Sequence, residues 1–214
     1  MATDQRAWVI AAAICIGLAV VSYFFLDRAV ATVSHDHLHG IPWFVWLTYI
    51  PDPFRPAAAV ALVIMALRRV ARARLCRFDD LVLRLGTSVI VASAIKEQLK
   101  RAFGRTWPET WVNNNPSYFG DGSYGFHPFE GGVAYASFPS GHTTLTFSVV
   151  SVLWILAPRL RWLWGVIALA VPIGLLGADY HWLSDIIVGA GLGTATGAIA
   201  ATIGRDAAAR GGMA

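Results

Sequence analysis

Six stretches of apolar sequence, at residues 8–26, 56–70, 81–103, 140–157, 162–176 and 182–203, decide the solvent in which this 214-residue chain folds. At 1.5 Å of rise per residue the first is long enough to cross ~30 Å of hydrocarbon. It lacks the basic start and small-residue cleavage site of a leader, and is read as a retained anchor. Lipid offers no partner to a free peptide group, so each stretch is expected to be helical. Hydrophobic residues make up 56% of the chain and charged ones 14%, with a mean hydropathy of +0.55, values that exclude an ordinary soluble domain and a disordered chain. The expected fold is all-α, an integral-membrane six-helix bundle forming a single membrane domain over residues 1–214. The aromatic run 41–49 is expected to be interfacial or re-entrant. The connector 107–137, rich in Asn, Gly, Tyr and Phe, is too polar to cross. It is expected to be a long outer loop between helices three and four that lids a site, with His127 and Glu130 toward lipid headgroups.

The net charge of +4 could suit nucleic acid, but the arginines crowd between apolar stretches instead of forming one polar face, so no nucleic-acid partner is expected. With the N-terminus inside, the inner side receives Arg6, the cluster Arg68, Arg69, Arg72, Arg74 and Arg77, then Arg159, Arg161, Arg205 and Arg210. The outer side keeps Arg28 and Arg55. This is a positive-inside pattern for a multi-pass protein of the cytoplasmic (inner) membrane. It places residues 100–108, 139–142 and 179–185 together at the outer, non-cytoplasmic ends of helices three to six. Trp43, Trp46, Trp107, Trp111 and Trp182 fall at the same face, where indoles prefer the headgroup region. Cys15 lies in an apolar stretch and Cys76 in an Arg-rich connector, so no disulfide is expected. Gly189, Gly191, Gly193 and Gly197 read as close helix packing, since no strand precedes them to make a nucleotide loop.

The residues gathered on that face can do phosphoryl chemistry. His181 and Asp185 are four apart at the start of helix six, so the carboxylate can hold one ring nitrogen while the other points outward as a nucleophile. Pro139, Ser140, Gly141 and His142 open helix four. There a glycine allows close backbone approach, the helix N-terminus offers free N–H donors, Ser140 adds a hydroxyl, and His142 can act as the acid. Lys100, Arg101 and Arg105 end helix three, where positive charge so close to hydrocarbon calls for a negative partner.

At these residues the chain resembles the type 2 phosphatidic acid phosphatase superfamily, the lipid phosphate phosphatases whose fold is shared with vanadium haloperoxidases. That family has three blocks: a Lys followed seven positions on by Arg-Pro, then Pro-Ser-Gly-His, then Ser-Arg followed after five residues by His and, four later, Asp. The resemblance covers residues 96–193, a phosphatase-like catalytic core. It implies that His181 becomes phosphohistidine, that Asp185 orients it, and that His142 is the general acid. It also implies that Lys100, Ser140 and Gly141 bind phosphate without a metal or other cofactor, Arg105 standing in as a further phosphate ligand.

Two positions depart from the pattern. Seven on from Lys100 stands Trp107, with Pro108 after it, and the third-block Ser-Arg positions hold Gly174 and Leu175. Each missing arginine would grip phosphate in a bidentate fork. Arg105 and Arg101 can compensate for the first, and Lys96, one turn before Lys100, is the remaining cation. The leading expectation is a phosphatase that removes the terminal phosphate of a membrane lipid, such as phosphatidic acid, phosphatidylglycerol phosphate, a polyprenyl phosphate or a lipid A phosphate. The alternatives are a sphingomyelin-synthase-like lipid phosphotransferase, whose relatives lack the arginines, and a non-catalytic lipid-phosphate binder. His35, Asp36, His37 and His39 carry donors suited to a divalent metal, but they read as the polar residues of a loop, and no metal is assigned to them.

Overall fold

The computed structural model describes residues 2–203 apart from 73, 75 and 112, and the side chains from residue 5 onward; Arg205 and Arg210 lie outside the described residues. Among the described residues the chain is helical and forms no strand, only isolated bridges. Helix α1 (Ala2–Val21) passes through a π-helical turn (Ser22–Leu26) into α2 (Asp27–Leu38). A short α3 (Pro42–Thr48) follows, then α4 (Phe54–Val70) and α5 (Arg77–Phe103). After a connector holding the one-turn α6 (Tyr118–Asp121) come α7 (Gly141–Leu156), α8 (Arg161–Gly177) and α9 (Leu183–Thr202).

The first apolar stretch does not stop at residue 26 as its hydropathy suggests. The helix runs on to Leu38 because Asp27 is fully buried with its carboxylate satisfied by Ser22, Arg105 and Ser184. His35 and His37 therefore stand on a helix and not in a loop. Three spans among the described residues are long and apolar enough to cross a membrane: Gln5–Leu38, Pro158–Gly177 and Leu183–Thr202. Helix α5, with 27 residues, is long but carries charges along its length. It begins before residue 81 because Asp79 accepts the Cys76 N–H at 2.8 Å and the Arg68 guanidinium at 3.0 Å, closing its first turn.

Small residues set the packing at the centre. Helices α7 and α9 make the most extensive helix pair, and α5 packs on both. A Cβ at Gly193 would lie 2.4 Å from the Thr144 carbonyl oxygen, and one at Gly197 2.5 Å from that of Ser148. The two backbones touch where lipid-soluble helices hold together by close van der Waals contact. A Cβ at Gly191 would meet Cys15 Sγ at 2.6 Å, so α1 closes on the opposite face of α9. Hydrophobic side chains of α1, the π-helical turn and α4 that point away from the bundle, among them Ile10, Phe25, Val60 and Leu67, are exposed, as a lipid-facing surface requires.

Candidate active site

Helix α5 ends at Gly104, whose φ of +55° turns the chain sharply; a Cβ there would sit 1.9 Å from the His127 carbonyl oxygen, so only glycine fits. The turn sends Arg105 inward. Its guanidinium donates to Asp27 at 2.6 Å, to Ser184 at 2.7 Å and to Asp185, all of them buried. The rings of Tyr23, Tyr124, Phe126 and Trp182 surround it, with centroids 5.0 to 5.6 Å from its central carbon. Burial opposes the charge, but the carboxylates of Asp185 and Asp27 outweigh it and hold the guanidinium above its ordinary pKa. Arg105 therefore joins the first long helix to the last and lies outside the cavity wall, committed to two carboxylates instead of facing a substrate.

The other oxygen of Asp185 serves His181. Asp185 Oδ2 is 3.3 Å from His181 Nδ1 and accepts from the Ser137 hydroxyl at 2.6 Å and the Trp182 N–H at 3.2 Å. With Nδ1 so engaged, Nε2 is the free nitrogen. His181 is 4% exposed, and burial pushes its pKa down to about 4. The hydrogen bond to Asp185 works against that shift, while Lys100 and His142 add to it. The imidazole is thus uncharged at neutral pH.

His181 borders a cavity of about 530 Å³ shared with His142, Gly141, Lys96, Lys100, Arg55, Asp52 and Trp107. The two imidazole centroids lie 6.5 Å apart, leaving room for a phosphoryl group between them. His142 Nε2 is 3.5 Å from the Asp52 carboxylate. Lys96 lies against Gly141, its Cε 3.4 Å from where a Cβ would be, so a larger residue would press on the ammonium. Lys96 also pairs with Glu97, which Arg55 approaches to 3.7 Å, and Lys100 donates to the Ala136 carbonyl. Three cations and the N-terminal turn of α7 thus converge on one concave surface, an arrangement suited to an anion.

Not every expected ligand reaches it. Ser140 is fully buried and caps α7: its hydroxyl accepts from the Thr143 N–H at 3.4 Å and the Thr143 hydroxyl at 3.0 Å. Its own N–H donates to the Asp185 carbonyl at 3.1 Å, locking α7 to α9 behind the two histidines. The departures from the family pattern are unlike each other. Trp107 lines the cavity 5.0 Å from the His181 ring, with Lys100 Nζ 5.6 Å from its own centroid. Leu175 is sealed in an apolar cluster with Val171 and Ile186. Trp182 is no headgroup anchor; it is wholly buried, its indole donating to the Thr106 carbonyl at 2.8 Å. His127 and Glu130 are exposed and stand apart from the cavity, to which the connector gives Trp107, Val133 and Ala136.

Asp27, Asp52, Arg55 and Ser137 are additions that sequence reasoning passed over. Only Asp27 left a signal, an acid at the end of an apolar stretch that needed a partner.

Fold and site together define a helical membrane protein with a His–Asp pair facing a cationic cavity. The sequence profile of the PAP2 superfamily matches residues 81–208, more than half the chain, and the chain belongs to that superfamily. It is similar to the lipid A 1-phosphatase of Rhizobium etli, 36% identical over 114 residues that are 51% of this chain and 44% of that protein. It is also similar to the lipid A 1-phosphatase of Rhizobium johnstonii, 35% identical over 111 residues, 50% of this chain and 41% of that one. The match thus spans less than half the length of these relatives. Among solved structures it resembles Aquifex aeolicus LpxE, with a TM-score of 0.54 and 16% identity over 82% of this chain and 94% of that one. The transmembrane phosphatidylglycerolphosphate phosphatase of Bacillus subtilis gives 0.57 and 18% over 93% and 96%. At such identities these two show a shared fold.

Proposed function

We propose that the protein is an integral-membrane lipid phosphate phosphatase working through a phosphohistidine on His181. The carrying observation is the buried, neutral His181, held by Asp185 and facing His142 across a cavity lined with Lys96, Lys100 and Arg55. In the first step Nε2 of His181 bonds to phosphorus, the bond from phosphorus to the lipid oxygen breaks, and His142 gives that oxygen its proton. In the second, His142 takes a proton from water, whose oxygen bonds to phosphorus as the N–P bond breaks and His181 is restored. The ammonium groups of Lys96 and Lys100, the Arg55 guanidinium and the Gly141 N–H neutralise the equatorial oxygens. Arg105 and Ser140 act from behind, as positioning residues for Asp185 and for the start of α7.

The substrate class follows the relatives, a lipid carrying a terminal phosphate such as lipid A 1-phosphate or phosphatidylglycerol phosphate. The arginine pattern supports a multi-pass six-helix arrangement in the cytoplasmic membrane with the cavity on the non-cytoplasmic side. A second reading is favoured by Trp107 and Leu175 at the two arginine positions: a phosphotransferase that passes the group from His181 to an alcohol. A phosphodiester donor carries less charge than a monoester and needs fewer cations. Purified protein with a panel of lipid monophosphates is expected to release inorganic phosphate, and His181→Ala to release none. A new diester formed only when an alcohol is supplied, with no phosphate freed, would establish the transferase instead. Neither product from any lipid would leave a binder.

A further inference from the structure

The end of α2, the start of the connector and the turn between α8 and α9 bring His35, His39, Glu109 and Asp179 together, one ligating atom from each within 4.8 Å of the others. Nδ1 of His35 is 3.0 Å and Nδ1 of His39 2.8 Å from the same oxygen, Asp179 Oδ2, and Glu109 Oε2 is 3.6 Å from His35 Nδ1. The imidazole centroids are 4.6 Å apart, as residues four apart on one helical face allow. Asp179 is only 2% exposed, and its Oδ1 is buried with no hydrogen-bond partner. Its φ of +57° is a strained backbone for a residue other than glycine. A buried carboxylate is costly unless its lone pairs are met. Two imidazoles crowded on one oxygen leave the other unmet, an arrangement with little merit as hydrogen bonding alone.

We propose that these four side chains form a zinc site, separate from the catalytic cavity, that clamps the turn carrying His181. Tetrahedral zinc holds imidazole nitrogen and carboxylate oxygen at about 2.0–2.2 Å, which sets its ligand atoms roughly 3.3 Å apart. The contacts of 2.8, 3.0 and 3.6 Å bracket that value. Two neutral imidazoles and two carboxylates balance the charge of a divalent ion, and a mixed nitrogen and oxygen set suits zinc better than calcium or magnesium. None of the four residues lines the cavity. The site reaches His181 through the chain: Asp179 is two residues before it, and Tyr180 between them packs on Trp111 with centroids 3.5 Å apart.

The test uses the full chain purified in detergent without a histidine tag, stripped with a chelator and titrated with Zn(II) alone. One ion per chain is expected, with a rise in Tm, and Co(II) in its place should show the visible bands of a four-coordinate site. His39→Ala and Glu109→Gln are each expected to weaken binding at least about tenfold, whereas exposed His37→Ala leaves it unchanged. No ion taken up by the wild type, or equal uptake by the double variant His35→Ala/His39→Ala, would overturn the assignment. Stoichiometry is read without substrate, so its outcome is independent of the phosphatase reading.

Discussion

The imidazole of His181 titrates far from its ordinary value because the side chain is buried and faces Lys100 and His142, while Asp185 only partly restores the charged form. With a folded pKa of about 4 against 6.5 unfolded, the unfolded chain takes up a proton between those values that the folded chain does not. Stability contributed by the neutral ring is therefore complete above pH 6.5 and is lost as the pH falls to about 4. Carbon-13 NMR of labelled histidine should find a resonance with its midpoint near 4 that disappears in His181→Asn; a midpoint near 6.5 would contradict the burial argument. The two departures from the family blocks predict opposite fates. Trp107→Arg places a guanidinium on the cavity wall and is expected to raise kcat/KM for a lipid monophosphate about tenfold or more, as oxyanion contacts do. Leu175→Arg buries an unpaired charge in the apolar cluster and should cost several kcal/mol, read as loss of folded protein in detergent. The His181 and Asp185 pair stood out because the two are four residues apart, and His142 because it closes the local run 139–142; that the two segments share one cavity end is a matter of the fold. Asp52 and Ser137 were not, since they come from distant segments and their roles arise only from contacts across the fold.

At the scale of elements, the six apolar stretches located the long helices closely, while their ends were set by polar pairs that hydropathy does not report. Hydropathy ends the first stretch at residue 26, but Asp27 is paired with Arg105 and the helix continues to Leu38. The glycine series on α9 was legible as packing for the opposite reason, since small residues at close spacing have few other uses in lipid. The contact of α9 with α7 predicts that Gly193→Val, whose Cβ would strike a backbone oxygen, destabilises by about 1–3 kcal/mol or more. Gly17→Ala in α1, with nothing within 4 Å of its Cβ, should instead be neutral or slightly stabilising. Thermal unfolding of both variants in one detergent checks the contrast, and equal midpoints would deny that α7 and α9 are in backbone contact.

For the whole molecule, the bundle gathers the three blocks at one end, and the basic residues of the α4–α5 connector lie toward the other. If that cluster faces the cytoplasm, Glu130→Cys, on an exposed stretch of the connector and in a background without Cys15 and Cys76, should react with an impermeant thiol reagent in intact cells. Protection until the cells are broken would reverse the orientation. The side-to-side order of the helices was not legible, because α1 is nearly uniformly apolar and shows no preferred face.

The link from Asp27 through Arg105 to Asp185 also bears on protein engineering. Asp27 lies upstream of residues 81–208, the portion matched by the superfamily profile, yet through Arg105 it is linked to the carboxylate that holds His181. A shortened version cut to the shared portion would take away one of the two carboxylates that neutralise a buried guanidinium, so chimeras that exchange leading helices between relatives are expected to keep their stability when that acid and its basic counterpart travel as a pair.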